Sequence, residues 1–473
     1  MFGPVSVPVT HRCPMRSWTV ALAAVGLAIA LAPIARGGSG ATAGDSAPSL
    51  AQVTTGPAAR DPVQERAPSV DLTGLDLIHI GLGDDGATAP LGHDRIARLT
   101  VDPPLQAAAW SAMADRHIPE ASIVLMDPQS GEVLVYASHL EPLQATAQAT
   151  GRATGSATAA QHLPRDLVVE ARAPAASVFK IITASALVDD AGLGPDTRQC
   201  YSGGEERIVA SDLVDDPVRD RWCVTLGGAM GRSVNAVFAR LASKLLGAPA
   251  LERAANHFGF GQSIPFDVAV EPSTLHVPAD MLGFARTAAG FWNTTLSPMH
   301  AAWISAALSR GGESVRPYVV REVVSRDGKV TEVNAGAPRA PGVRVVAQGT
   351  AEAITSMMEH TVSEGTSFKA FHDPRRAPFL PGITVAGKTG TLTDDHERRF
   401  YTWFTGFAPS RPVPGVKPVV VTALVVNGPS WRVKANVLAR EMLQAYFAQQ
   451  KVTGVAAPRV AGSVSTGRLK AAD

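Results

Sequence analysis

"RAPAASVFKIITASALVDDAG", residues 172–192, places Ser177 three positions before Lys180, behind Pro174 and at the head of an apolar run. Ile181, Ala184, Leu187, Val188 and Ala191 recur at helical spacing, and Gly192 follows as a C-terminal stop. The plain reading is a helix N-terminus with a stray basic residue. The chemical reading is a hydroxyl and an amine one turn apart on one helix face. A lone Ser-x-x-Lys does not decide between them.

Working outward, hairpin-like segments stand on both sides of this helix. "SIVLMD" (122–127) and "EVLVYAS" (132–138) flank the turn-like "PQSG". "ITVAGKTGTL" (383–392), "RFYTWFTGFAP" (399–409) and "PVVVTALVVNG" (418–428) are three β-rich segments at hairpin spacing. Residues 98–115 read as a short strand leading into a helix, and 437–449 as a closing amphipathic helix. Strands at both ends with helices between predict an α/β (α+β) fold, an antiparallel sheet covered by helices on both faces. An all-helical part between the strand groups completes it.

The 473 residues carry 18% charged and 45% hydrophobic side chains, ordinary for a chain that buries a large core. A formal net charge of +1 argues against a nucleic-acid partner. The N-terminus is less ordinary. Arg12 and Arg16 precede the uncharged "WTVALAAVGLAIALAPIA" (18–35). We read it as an uncleaved membrane anchor, with a cleaved signal segment as the alternative. Either sends the remainder across the membrane, since the basic flank stays inside.

The expected division is a short basic segment with anchor (1–35), a Gly/Ala/Ser/Pro-rich linker (36–72), one catalytic domain (73–450) and a disordered tail (451–473). The Ala/Thr-rich stretch 144–161 reads as a loop within that domain. Cys200 and Cys223, 23 positions apart beyond the anchor, have the compartment in which a disulfide persists. Spacing alone leaves open whether they pair.

Two more short motifs occur once each. "GRSVNAVFARLA" (231–242) holds Ser233-Val-Asn235 at the head of a helix, and "VAGKTGTL" (385–392) holds Lys388-Thr389-Gly390-Thr391 on a strand. In this order, with gaps of 56 and 155 residues, the three motifs resemble the penicillin-binding protein and serine β-lactamase superfamily. The longer gap looks like a monofunctional, class B-like transpeptidase. "TTLSPMHAAWISAALSRGGESVRPYVV" (294–320) and "YTWFTGFAPS" (401–410) are similar to further segments of that family, and "CYSGGEERIV…RWC" resembles a cysteine pair of some members.

The resemblance implies a serine acyl-enzyme acting on D-alanyl-D-alanine stem peptides of peptidoglycan and acylated by β-lactams. Ser177 would be nucleophile and Lys180 its base. Phe179 and the charge of Lys388 would hold that base neutral. Ser233 would relay a proton, and Asn235 would hold Lys180 and the substrate backbone. Lys388 and Thr389 would meet the substrate's terminal carboxylate. Gly390 would let the peptide approach, and Thr391 would supply an oxyanion-hole N–H. No metal or cofactor enters this chemistry. The family's glycosyltransferase or full pedestal domain does not fit into 36–98, so a separate membrane glycosyltransferase is the partner to expect. Carboxypeptidase, endopeptidase or β-lactamase activity is the enzymatic alternative, and a β-lactam or muropeptide sensor the non-enzymatic one.

Three other patterns are decoys on this reading. Gly382 to Thr389 matches a phosphate-loop spacing, but its interior is β-branched and "GTLTDD" starts no helix. Glu271-Pro-Ser-Thr-Leu275 resembles a deacylating glutamate loop, with His276 where an asparagine should close it. His396-Glu397 lacks a second histidine, since position 400 is Phe. Trp403, Phe404 and Phe407 read as sheet packing.

Overall fold

The computed structural model of the chain describes residues 70–141, 165–204, 207–334, 342–394 and 396–458. The apolar segment 18–35, nearly all of the linker, the loop 144–161 and most of the tail lie outside the described residues. The chain divides into two units, 1–58 and 59–473, and every described residue belongs to the second. No helix among the described residues is long and apolar enough to cross a membrane.

Three short strands open the described chain: β1 (Gly81–Gly83), β2 (Gly86–Leu91) and β3 (Arg95–Leu99). Helix α1 (Pro103–Ala114) starts where Asp102 accepts from the Leu105 N–H at 3.0 Å, with Pro103 in the first turn. The hairpin β4 (Glu120–Met126) and β5 (Val133–Leu140) follows, then β6 (Ala173–Pro174), a 3₁₀ turn (Ala176–Phe179) and α2 (Lys180–Asp189).

Next come β7 (Arg198–Tyr201), β8 (Trp222–Thr225), α3 (Leu226–Arg232), α4 (Asn235–Leu245), α5 (Ala248–His257) and α6 (Met281–Ala288). Then follow β9 (Thr295–Leu296), α7 (Pro298–Ser309), β10 (Val320–Val324), β11 (Val330–Glu332), α8 (Gln348–Ser363) and α9 (Phe368–Phe371). The chain ends in β12 (Ala386–Asp394), β13 (Arg399–Ala408), β14 (Val419–Asn427) and α10 (Ala435–Gln449).

The main sheet is antiparallel in the order β12-β13-β14-β4-β5. Every residue of β14 is buried, because the strand has a core on each face. Val420, Leu424 and Val426 face the core shared with α7 and α2, while Val419, Val421, Ala423 and Val425 face α1 and α10. One edge, β5, is closed by the buried Gln106 of α1. Its amide donates to the Tyr136 carbonyl at 2.7 Å and accepts from the Tyr136 N–H at 2.9 Å, as a further strand would. The other edge is β12.

A second antiparallel sheet, β1-β2-β3-β10-β11, joins residues 81–99 to 320–332. The sequence reading anticipated only β3 of it. Asp267 ties β10 to the helical region: its fully buried carboxylate accepts from Arg316 at 2.8 Å and from the Val319 and Val320 N–H groups at 2.7 and 2.8 Å. Asp267→Ala strands a guanidinium and two buried N–H groups, so we expect a loss of about 3–5 kcal/mol in chemical denaturation. Asp267→Asn, which keeps one acceptor, should cost less.

Cys200 and Cys223 are directly opposed across β7 and β8 and are joined by a disulfide. The buried Arg240 of α4 donates to the Cys200 carbonyl at 2.9 Å, to the Asp212 carbonyl at 2.7 Å and to Asp220. The ribbon is thereby fixed to the helix that begins at Asn235.

Candidate active site

The turn that carries Ser177 is held from three directions. Ala173 and Pro174 pair with Leu296 and Thr295, and the Pro174 carbonyl accepts from the indole of buried Trp403 at 2.9 Å. Gly290 lies against the turn, and a Cβ there would stand 2.4 Å from the Ala176 carbonyl oxygen. Ala176 has φ +48°, in the left-handed region that alanine adopts only when its surroundings compel it. Ser177 is half-buried and is the second residue of the 3₁₀ turn that runs into α2.

One helical turn on, Lys180 is completely buried. Its amine is 2.8 Å from Ser177 Oγ and 2.6 Å from Asn235 Oδ1, and it also meets the Ala289 carbonyl oxygen. The amide oxygen and the carbonyl can only accept, whereas the Ser177 hydroxyl can also donate. An uncharged amine has two N–H bonds and one lone pair. The two obligate acceptors take the N–H bonds, so the lone pair faces the Ser177 hydroxyl. Burial first and the nearby Lys388 second hold the Lys180 amine well below the usual lysine range. The arrangement can therefore draw a proton from Ser177.

Ser233 and Asn235 flank a break between helices. Thr225 caps the start of α3 by accepting from the Gly228 N–H at 3.0 Å. The helix ends at Ser233, whose φ of +59° turns the chain, and α4 starts two residues later. Ser233 thus closes one helix, where the sequence reading had it at the head of the next. The kink turns Asn235 toward Lys180 and Ser233 toward Lys388, whose amine is 2.9 Å from Ser233 Oγ.

Lys388 lies on the edge strand β12, fully buried, and also donates to the Thr389 carbonyl at 2.9 Å. Burial lowers its amine to about 7. Gly390 brings β12 against the nucleophile turn; a Cβ there would be 3.1 Å from Ala176 Cβ and 3.2 Å from Trp403. A cavity of about 310 Å³ opens between these parts, lined by Ser177, Ser233, Asn235, Thr389, Gly390 and Thr391 among others. All the residues singled out from the three motifs converge here; Lys180 and Lys388 stand behind the wall.

Two side chains and one backbone group were not anticipated. Thr366, after α8, lines the cavity and shares a 2.6 Å hydrogen bond with the Thr389 hydroxyl. The Ala289 carbonyl has no side-chain signature. The ring beside the Lys180 amine is Phe238, 5.7 Å to its centroid, whereas Phe179 packs edge-on against Phe260. Phe238 lies three residues after Asn235 on α4, and that spacing was legible.

The decoys resolve locally. Lys388 and Thr389 of the phosphate-loop match lie within a strand rather than before a helix. Glu271 accepts from the Ala171 N–H at 3.0 Å and stands 3.8 Å from Arg172, outside the cavity lining. Among the described residues no cluster of metal-binding side chains occurs.

The pair of buried lysines predicts two pH effects. Acylation of Ser177 should slow in acid, where the buried Lys180 amine takes up a proton and loses the lone pair that draws the Ser177 proton. Stability runs the same way. The unfolded chain holds the Lys388 proton up to about 10.5, and the folded chain releases it near 7. The unfolded state binds more protons in that window, so the melting temperature should gain a rising component from about pH 7 toward 10 that Lys388→Met removes.

A serine hydroxyl 2.8 Å from a completely buried lysine amine, at the edge of a helix-covered antiparallel sheet, defines an acyl-serine enzyme of the Ser-x-x-Lys kind. The chain belongs to the penicillin binding protein transpeptidase domain family, whose model matches residues 121–443. It is 26% identical over 351 residues to the peptidoglycan D,D-transpeptidase PbpA of Mycobacterium tuberculosis, covering 70% of this chain and 67% of that protein. The penicillin G acyl-enzyme structure of penicillin-binding protein A from M. tuberculosis has a similar fold, with TM-score 0.56 at 23% identity over 77% of this chain and 82% of that one. The D,D-transpeptidase domain of a peptidoglycan glycosyltransferase from Eggerthella lenta gives TM-score 0.59 at 21% identity over 82% of this chain and 100% of that one.

Proposed function

We propose that this chain is a peptidoglycan D,D-transpeptidase that forms an acyl-enzyme through Ser177. The observation that carries the reading is the buried Lys180 amine, 2.8 Å from Ser177 Oγ and held by Asn235 Oδ1 and the Ala289 carbonyl so that its lone pair is left for the Ser177 hydroxyl. Lys180 takes the Ser177 proton as Oγ bonds to the carbonyl carbon between two terminal D-alanines. The developing oxyanion sits between the N–H groups of Ser177 and Thr391. Ser233, linked to Lys388, passes a proton to the departing amine, the C–N bond breaks and D-alanine leaves. An acceptor amine then attacks the ester, gives up a proton and frees Ser177.

The donor peptide would lie along the free edge of β12 as an added strand, with Gly390 allowing close approach. Its terminal carboxylate would meet Thr389 and Thr366 in the field of Lys388. The names of the relatives support peptidoglycan as substrate, and the acyl-enzyme complexes of PbpA support β-lactams as ligands. The pairing of Glu271 with the Arg172 segment speaks against a deacylating glutamate.

We further read residues 73–450 as the catalytic domain, held at the cell envelope outside the cytoplasm by residues 18–35, with a membrane glycosyltransferase supplying strands. The Cys200–Cys223 disulfide supports export. The test is a D-alanyl-D-alanine peptide incubated with an amine acceptor. The wild-type chain should release D-alanine and form the new amide, and Ser177→Ala should do neither. D-alanine release with no amide at any acceptor concentration would make it a carboxypeptidase. No reaction with peptide despite β-lactam labelling would make it a sensor.

A further inference from the structure

The cavity does not end at the three motifs. Beyond Thr391 it reaches Thr402 of β13 and the start of α10, where Lys434 and Asn436 also line it. Helix α10 has no side-chain cap; its Ala435 N–H donates to Thr402 Oγ1 at 3.1 Å. Lys434, at the cap position, is exposed, with its ammonium 5.6 Å from the Trp431 ring centroid. Among the described residues no carboxylate lies within ion-pair distance of it, and no acid lines the cavity.

Asn436 adds an independent sign. It is 6% exposed, and its amide nitrogen donates to Ser367 Oγ at 3.2 Å while Oδ1 has no partner. The Ser367 hydroxyl donates as readily as it accepts, so the amide can hold it either way round, and turned about it has an NH₂ without a partner. An ammonium, an unspent amide and the positive end of a 15-residue helix meet at one place with no anion to balance them.

Register says which anion. A peptide added antiparallel to β12, with its terminal carboxylate at Thr389, has its earlier residues beside Thr391 and beyond. Thr402 is the cross-strand partner of Thr391. The α10 end therefore stands two residues upstream of the terminal carboxylate, roughly 7 Å along the strand.

We propose that Lys434, Asn436 and the first turn of α10 form a subsite for a second carboxylate, carried on a side chain of the donor peptide ahead of its terminal D-alanyl-D-alanine. This rests on the transpeptidase reading and narrows its substrate to a stem peptide with a free side-chain carboxylate.

The test compares two pentapeptides that differ only in whether the side chain before D-alanyl-D-alanine ends in a carboxylate or its carboxamide. D-alanine release by the full chain should favour the carboxylate in kcat/KM by about tenfold, the scale of a charge-assisted hydrogen bond. Lys434→Met should bring the two peptides within about twofold, the charge-assisted bond being gone. Lys434→Arg should keep the preference, and added salt should shrink it. Equal use of both peptides by wild type, or a preference that survives in Lys434→Met, overturns the subsite. Benzylpenicillin labelling of the wild-type chain is run alongside. Labelling without carboxylate preference sinks this inference alone, while absent labelling sinks the transpeptidase reading beneath it.

Discussion

Lys180→Met should lower the rate of benzylpenicillin acylation by about 10²- to 10⁴-fold while the protein remains folded. Methionine fills the fully buried site with a chain of similar length, so little packing is lost. What disappears is the amine whose lone pair faces Ser177. The change also takes the amine donor from the buried Ala289 carbonyl, a cost of about 1–3 kcal/mol that denaturation should register. Lys180→Arg separates base from charge. A guanidinium carries N–H donors and a permanent charge but has no lone pair to accept a proton, so it should be no faster than methionine. Activity in the arginine variant above about a tenth of wild type, where general-base loss predicts far less, would remove Lys180 from that role.

Gly290→Ala should be the second large effect, although Gly290 does not line the cavity. Its φ of +80° disfavours any side chain, and the new Cβ would stand 2.4 Å from the Ala176 carbonyl oxygen and 3.0 Å from Ser177 Cα. The turn or the 289–290 segment must move. Either displacement alters the spacing of Ser177 and Lys180, because the Ala289 carbonyl is one of the groups that aims the amine. A shift of about 1 Å at a catalytic group can cost 10²-fold, and we expect acylation to fall by about that factor. Far-UV circular dichroism should be unchanged, since the clash is confined to one turn. A variant acylated at the wild-type rate would mean that the turn is softer than its packing implies.

How far the sequence carried this picture depended on the range of each interaction. The hairpin of β4 and β5, helix α2 and the strands β12 to β14 follow from local periodicity and turn residues. The second sheet does not. Its strands are three to six residues long, and β3 finds β10 more than two hundred positions away. Motif residues carry side chains whose chemistry announces itself, so Ser177, Lys180, Ser233, Asn235 and Lys388 were legible as a set. The Ala289 carbonyl and the tight contact of Gly290 are backbone features placed by tertiary packing, with nothing in residue type to mark them. Phe179 adjoins Lys180 in sequence, yet neighbours on a helix point apart, and its ring packs on Phe260 instead. Phe238, on the same face of α4 as Asn235, fills that place.

The measurement closest to the central claim is intact-mass spectrometry of the chain mixed with benzylpenicillin, followed over hours, with peptide mapping of any adduct. We predict one equivalent of drug, attached to Ser177, absent in Ser177→Ala and slow to leave. No adduct, or an adduct on another residue, would contradict the acyl-serine site. An adduct that forms on Ser177 and is lost rapidly as hydrolysed drug accumulates would instead make this chain a β-lactamase.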